Sequence, residues 1–152
     1  MSELPLSQEA NWGPPGAWVA AHGLPPGGAL LDAGGPTRAP ARYAALCLDP
    51  EAIWVHPEPT GAPFAALEAF AAAARGVGWA GVPGPRPLVI CALSYDLGRT
   101  VERLPGEALA DSPLPAAWAA RYRAAYVWDR QSGRGRIVAQ DSPAAQALAD
   151  RL

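Results

Sequence analysis

Leu88-Val89-Ile90-Cys91-Ala92-Leu93 is an unbroken apolar run, preceded by the Gly/Pro-rich stretch Gly76 to Pro87 and followed by Ser94-Tyr95-Asp96. A run this short, with no polar position and turn signals on both sides, reads as a buried β-strand. Further along, Tyr122, Ala124, Tyr126 and Trp128 fall on alternate positions between Trp118 and Trp128, and Ile137-Val138-Ala139 resumes after Ser132-Gly133. That alternation predicts a β-hairpin. A short terminal helix is expected from about Pro143.

Upstream, Ala29-Leu30-Leu31 reads as a brief strand stopped by Gly34-Gly35-Pro36, and Arg42 to Leu48 as a second, stopped by Asp49-Pro50. Ile53-Trp54-Val55 is expected as a third, closing a hairpin across Asp49-Pro50-Glu51. The clearest helix runs from Pro63 to Arg75. Proline suits its first position, alanine fills it, and Gly76 can end it. Phe64, Leu67, Phe70, Ala71 and Ala74 share one face at helical spacing, as in a core-covering helix. The stretch around Trp18, between Pro14-Pro15-Gly16 and Pro25-Pro26-Gly27-Gly28, fits either a loop or a helix. The expected fold is α+β, mainly antiparallel sheet with a few covering helices. Its expected organisation is an N-terminal extension over 1–16 and a single domain over 17–152.

Composition narrows the function. With 152 residues, half of them hydrophobic and 17% charged, the chain has the content of one folded domain rather than of a disordered segment. A formal charge of −2 supplies no long-range attraction to nucleic acid. All twelve basic residues are arginines, so Schiff-base chemistry and a phosphate-loop lysine are excluded for these residues. No stretch approaches the length of a membrane span, and the N-terminus lacks a basic start and a signal-length apolar run, so a soluble cytoplasmic protein is expected. Cys47 and Cys91 are far apart and read as buried free thiols.

Candidate chemistry is sparse. His22 and His56 are isolated from each other and from paired cysteines, so no metal site is expected. Ser94 lacks the flanking glycines of a nucleophile elbow. Asp96 and Glu102 have no spacing that sets two carboxylates across a substrate, and Arg99 and Arg103 are ready partners for them. Gly27-Gly28 and Gly34-Gly35 read as turns, not as a dinucleotide fingerprint. The arginines at 121, 123, 130, 134 and 136 gather around the expected hairpin, where they could bind an anion or solvate an exposed face, the latter being preferred.

The run Leu93-Ser94-Tyr95-Asp96-Leu97-Gly98-Arg99-Thr100-Val101-Glu102-Arg103-Leu104-Pro105 resembles the Gly-Tyr-Asp-Leu-Gly-Arg, Glu and Leu-Pro run of aminodeoxychorismate synthase component I. The related anthranilate synthase component I carries a looser version. Leu114-Pro115 and Tyr126-Val127-Trp128-Asp129 follow in the family's order. Upstream, Ala29-Leu30-Leu31-Asp32-Ala33, Arg42-Tyr43 and Asp49-Pro50 are similar to its Leu-Leu-Glu-Ser stretch and later Arg-aromatic pair. The resemblance covers roughly residues 17 to 140.

The resemblance implies the N-terminal, non-catalytic domain of a chorismate-using synthase, part of a two-sheet α/β sandwich serving 4-aminobenzoate and folate biosynthesis. The anthranilate (tryptophan-pathway) counterpart and an aromatic amino-acid-binding regulatory module are the alternatives. Tyr95, Asp96, Gly98, Arg99 and Glu102 would be a structural signature. Asp32, Ala33, Pro40, Ala41, Arg42 and Tyr43 match the family's tryptophan pocket, although Ala33 replaces a serine that could hold the ligand's ammonium group. No catalytic residue, metal or cofactor is expected on this chain, because the chorismate chemistry and its Mg²⁺ would belong to the catalytic half. The implied partners are that chorismate-binding chain or domain and a glutamine amidotransferase. Apolar surface left uncovered without the catalytic half would also favour a homo-oligomer.

Overall fold

Small side chains dominate the strands and decide how closely the layers stack. The computed structural model describes residues 6–35, 41–74, 85–86, 88–103 and 113–152. Among them, eight strands form two antiparallel sheets. The larger sheet contains β1 (Leu6–Ala10), β2 (Ala29–Asp32), β3 (Tyr43–Cys47), β7 (Ala124–Asp129) and β8 (Arg134–Ala139), in the order β1-β8-β7-β3-β2. The smaller has β4 (Ala52–His56), β5 (Val89–Leu93) and β6 (Ala117–Arg121), in the order β4-β6-β5. The expected α+β fold of mainly antiparallel sheet is therefore present.

Alternation gives the central strands of the larger sheet two apolar faces. Ala45, Cys47, Ala125, Val127 and Val138 of the larger sheet pack against Ala120 and Tyr122 of the smaller one. Four of these seven contacts are alanine or cysteine, so the sheets can approach closely and Tyr122 fills the remaining space. On its other face the larger sheet presents Leu46, Tyr126, Ile137 and Ala139 to Ala145 and Leu148 of α3 (Ser142–Arg151), with Trp18 and Val19 of α1 (Pro15–His22) beside them. The outer face of the smaller sheet carries Ala117, packed with Leu97 and Trp54, and is crossed by α2 (Pro63–Ala72).

The helix ends follow from local chemistry. Pro15 and Pro63 occupy first-turn positions, where a missing N–H costs nothing. Asp141 caps α3 by accepting the Ala144 N–H at 2.8 Å. The stretch around Trp18 is thus a helix, and Gly23, with φ of 76°, ends it by donating its N–H to Val19 C=O.

Several expectations are corrected. No hairpin joins β3 to β4: β3 lies between β2 and β7, whereas β4 pairs with β6 in the other sheet. Asp49, in the left-handed region at φ 50°, turns the chain from one sheet to the other. The stretch Trp118–Trp128 is likewise divided after β6, and its second part joins the larger sheet. Of the Leu88–Leu93 run, Val89–Leu93 form β5 at the edge of the small sheet among the described residues, with Leu88 buried but Cys91, Ala92 and Leu93 exposed. Cys47 is buried as expected, and burial pushes its thiol pKa up to about 12. Residues 6–10, within the stretch read as an extension, form β1 and pair along all of Leu6–Ala10 with β8. In α2, Leu67, Phe70 and Ala71 are half-buried, but Phe64 is exposed. The helix ends at Ala72, three residues before the expected Arg75, while Arg75-Gly76 and most of the 76–87 loop lie outside the described residues.

Tyr122 ties the two layers to the chain entering β2: its hydroxyl donates to Gly27 C=O at 2.7 Å, and burial pushes its pKa up to about 12. Tyr122→Phe is expected to lower stability by about 1 kcal/mol, because the half-buried Gly27 carbonyl loses its donor. Urea unfolding should show a lower midpoint with an unchanged slope.

Candidate functional site

The β7–β8 turn begins at Asp129, whose backbone C=O accepts the Gly133 N–H at 2.8 Å, with Gly133 at φ 65°. Asp129 Oδ1 also accepts the N–H groups of Gln131 (3.0 Å) and Ser132 (3.4 Å). An aspartate at the start of a turn commonly caps the following amides in this way. Its side chain reaches the neighbouring strand as well. Arg42 Nε donates to Oδ1 at 3.1 Å and its terminal nitrogen to Oδ2 at 2.6 Å, a two-pronged ion pair. Only 6% of Asp129 is exposed, and the Arg42 guanidinium, reinforced by the two turn amides, holds its carboxyl well below the usual carboxylate range. The same guanidinium lies 5.0 Å from the centre of the Tyr43 ring.

Arg130, the next residue, organises the β2–β3 connection. Its guanidinium donates to Gly34 C=O (3.0 Å), Gly35 C=O (2.7 Å) and Ala41 C=O (3.1 Å), and lies 3.9 Å from Asp32 Oδ1. Gly34 and Gly35 both adopt positive φ, which lets consecutive carbonyls turn toward one cation. Asp32 accepts the Gly34 N–H at 3.1 Å.

Of the residues expected to line an amino-acid pocket, Asp32, Ala41, Arg42 and Tyr43 are brought together around Asp129 and Arg130, Ala33 sits in the same connection, and Pro40 lies outside the described residues. The charges here are largely satisfied within the chain: Arg42 is held by Asp129, and Arg130 by three carbonyls. A ligand carboxylate would have to compete with those bonds. Asp32, with about a third of its side chain exposed, is the group best able to meet an ammonium ion.

Arg130 reads in the sequence as one of several arginines on a solvated face, yet it is the residue that holds these carbonyls together. The others are also engaged: Arg121 pairs with Glu51 at 2.6 Å and lies over the Phe70 ring, Arg123 pairs with Asp141, and Arg134 lies 4.0 Å from Glu9. The available signal was Asp129-Arg130 at the hairpin turn, opposite a glycine pair with carbonyls to satisfy.

The signature Tyr95, Asp96, Gly98, Arg99 and Glu102 lies elsewhere, directly after β5 of the small sheet. Tyr95–Thr100 form a short 3-10 helix, with Asp96 accepting from Arg99 Nε at 3.1 Å and Thr100 Oγ1 donating to Leu97 C=O at 2.8 Å. Leu97 is buried against Ala116 and Ala117, whereas Tyr95 is 90% exposed. Ser94 Oγ is buried with no hydrogen-bond partner among the described residues, so no base stands ready to activate it. His22 Nδ1 and His56 Nε2 each meet a main-chain carbonyl, of Trp18 and Thr60. No group of three metal-ligating side chains occurs among the described residues, and no described helix is long and apolar enough to cross a membrane. No family model matches the chain, and no curated protein matches it.

Proposed function

We propose that this chain is the non-catalytic N-terminal domain of a chorismate-amination system of the aminodeoxychorismate synthase component I type, acting with a chorismate-binding catalytic half. The observation that carries the reading is how the signature run is presented. Leu97 anchors the 3-10 helix in the small-sheet core, while Tyr95 (90% exposed) and Val101 (72% exposed) stand out from it. Large apolar side chains on an anchored turn suit docking of another protein surface. The internal satisfaction of Arg42 and Arg130 favours a scaffold role for the Asp32–Tyr43 region over an amino-acid sensor.

Mixing the chain with a chorismate-binding catalytic chain should yield a co-eluting complex and a gain in conversion of chorismate and ammonia to 4-amino-4-deoxychorismate. Tyr95→Ser should weaken that complex by roughly tenfold or more while leaving the melting temperature unchanged, since a tyrosine at an interface centre is a common hot spot. A chain that stays monodisperse and never raises the catalytic chain's activity would overturn the reading. Heat on titration with tryptophan would instead support the regulatory alternative.

A further inference from the structure

Among the described residues β5 forms one edge of the small sheet, and its backbone pattern is fixed by β6, its single neighbour there. Tyr122 N–H donates to Leu88 C=O at 2.8 Å, and Ser94 N–H to Ala116 C=O at 2.8 Å, at the two ends of a register that pairs Ile90 with Ala120 and Ala92 with Trp118. Hydrogen-bonded pairs alternate in an antiparallel ladder, so Ile90, Ala92 and Ser94 turn their amide groups toward β6, as does the Leu88 carbonyl, while the Leu88 N–H donates to Arg86 C=O at 2.8 Å. Val89, Cys91 and Leu93 turn theirs away from it.

The four edge strands differ in how they discourage further pairing. β1 carries Glu9, β2 ends in Asp32, and β4 is flanked by Glu51 and closes on His56-Pro57. Charges and proline are the usual means of blunting an edge. β5 is Val-Ile-Cys-Ala-Leu, with no charge and no proline, and Cys91, Ala92 and Leu93 are exposed. Beside its C-terminal end, Ala92, Leu93, Ser94, Leu114, Pro115 and Trp118 line an almost wholly apolar groove of about 370 Å³.

We propose that β5 pairs antiparallel with β5 of a second copy of this chain, about a two-fold axis through Cys91, joining two three-stranded sheets into one of six strands. An antiparallel edge is complementary to itself about such an axis. Cys91 stands opposite Cys91 of the second copy, and Val89 opposite its Leu93, giving about six inter-copy hydrogen bonds. The facing side chains are uncharged, so the two copies meet without like-charge repulsion, and the chain's net charge of −2 opposes approach only weakly. The contact is small, which places it in the weak, reversible class. It does not rest on the chorismate reading.

Sedimentation equilibrium of the full chain from micromolar to near-millimolar concentration should show a reversible monomer–dimer equilibrium that is insensitive to salt. Cys91→Lys and Cys91→Glu each place like charges directly opposite one another and should weaken self-association by roughly tenfold or more. An equimolar mixture of the two variants should associate again, now in a salt-sensitive way. A short bis-maleimide should cross-link the wild-type dimer through Cys91, because Cys47 is fully buried. A chain that is monomeric throughout, as expected if the edge instead receives an extended segment of another protein, would overturn the proposal. So would a dimer unmoved by either variant, a mixture that fails to recover, or no cross-link in the wild type, the last being independent of how the variants fold.

Discussion

Gly135→Ala is expected to destabilise the chain by about 3 kcal/mol, lowering the melting temperature by roughly 6–12 °C for a chain of this size. Gly135 lies in β8 between β7 and β1, paired with Trp128 on one side and Ala10 on the other. A methyl group there would stand 2.6 Å from Ala10 C=O and would run into the Tyr126 ring and hydroxyl. The carbonyl belongs to a strand backbone and cannot step aside alone. Tyr126 is fully buried, in T-shaped contact with Trp12, and donates its hydroxyl to Gly13 C=O at 2.9 Å. Accommodating the methyl therefore means both displacing β1 and moving Tyr126, at the expense of its part-buried hydrogen bond to Gly13. Gly133→Ala is the control: Gly133 has open space around it and carries only the penalty of φ 65°, about 1–2 kcal/mol. Thermal and urea unfolding of both variants would check the ordering, and equal losses would show that crowding at Gly135 is not the cause.

Gly135 also marks what the sequence could convey. The alternation of Tyr126 and Trp128 and the turn at Ser132-Gly133 are local signals, and they yielded the β7–β8 hairpin. β1 was not legible, because Leu6-Ser7-Gln8-Glu9-Ala10 has little strand patterning of its own and is held by pairing with β8. Division of the strands between two sheets was not legible either. Tyr122-Arg123 looks like a continuation of an alternating strand, yet Tyr122 belongs to the contact between the sheets and Arg123 pairs with Asp141 at the cap of α3. The apolar run Leu88–Leu93 promised burial. Apolarity reports the surface a strand can bury, not whether a neighbour covers it, and here β6 is the only neighbour among the described residues.

At the candidate site the contrast has the same origin. Asp32, Arg42 and Tyr43 were picked out by resemblance, and chain geometry does gather them. Asp129 and Arg130, which do the gathering, are 87 and 95 to 96 residues away in sequence from Arg42 and from the glycine carbonyls they hold. Side-chain to main-chain bonds across such separations leave no periodic trace.

Asp129→Asn separates the charge of this centre from its shape. Asparagine keeps the size and the oxygen that caps Gln131 and Ser132, but it loses the charge that Arg42 faces. Arg42 is 44% exposed and can regain water, so the loss should fall well below that of a fully buried pair, at about 1 kcal/mol near neutral pH. Asp129→Ala also removes the turn bonds and should cost about 1 kcal/mol more. The sign of the pH effect follows from the direction of the shift. The folded protein holds the Asp129 carboxyl below its ordinary pKa, so the contribution is fully present above the carboxylate range and fades as pH falls through it toward the folded-state value. The stability gap between wild type and Asp129→Asn should therefore be full at about pH 7 and should narrow steadily as pH falls below the ordinary carboxylate range. A gap that does not change with pH would mean that shape and not charge supports the turn. Because Arg130 follows Asp129 directly and its N–H donates to Arg42 C=O at 2.9 Å, loosening this pair should also speed amide exchange at Gly34 and Gly35. That second readout links the stability of the turn to the order of the β2–β3 connection, on which any ligand or partner contact by Asp32 and Tyr43 depends.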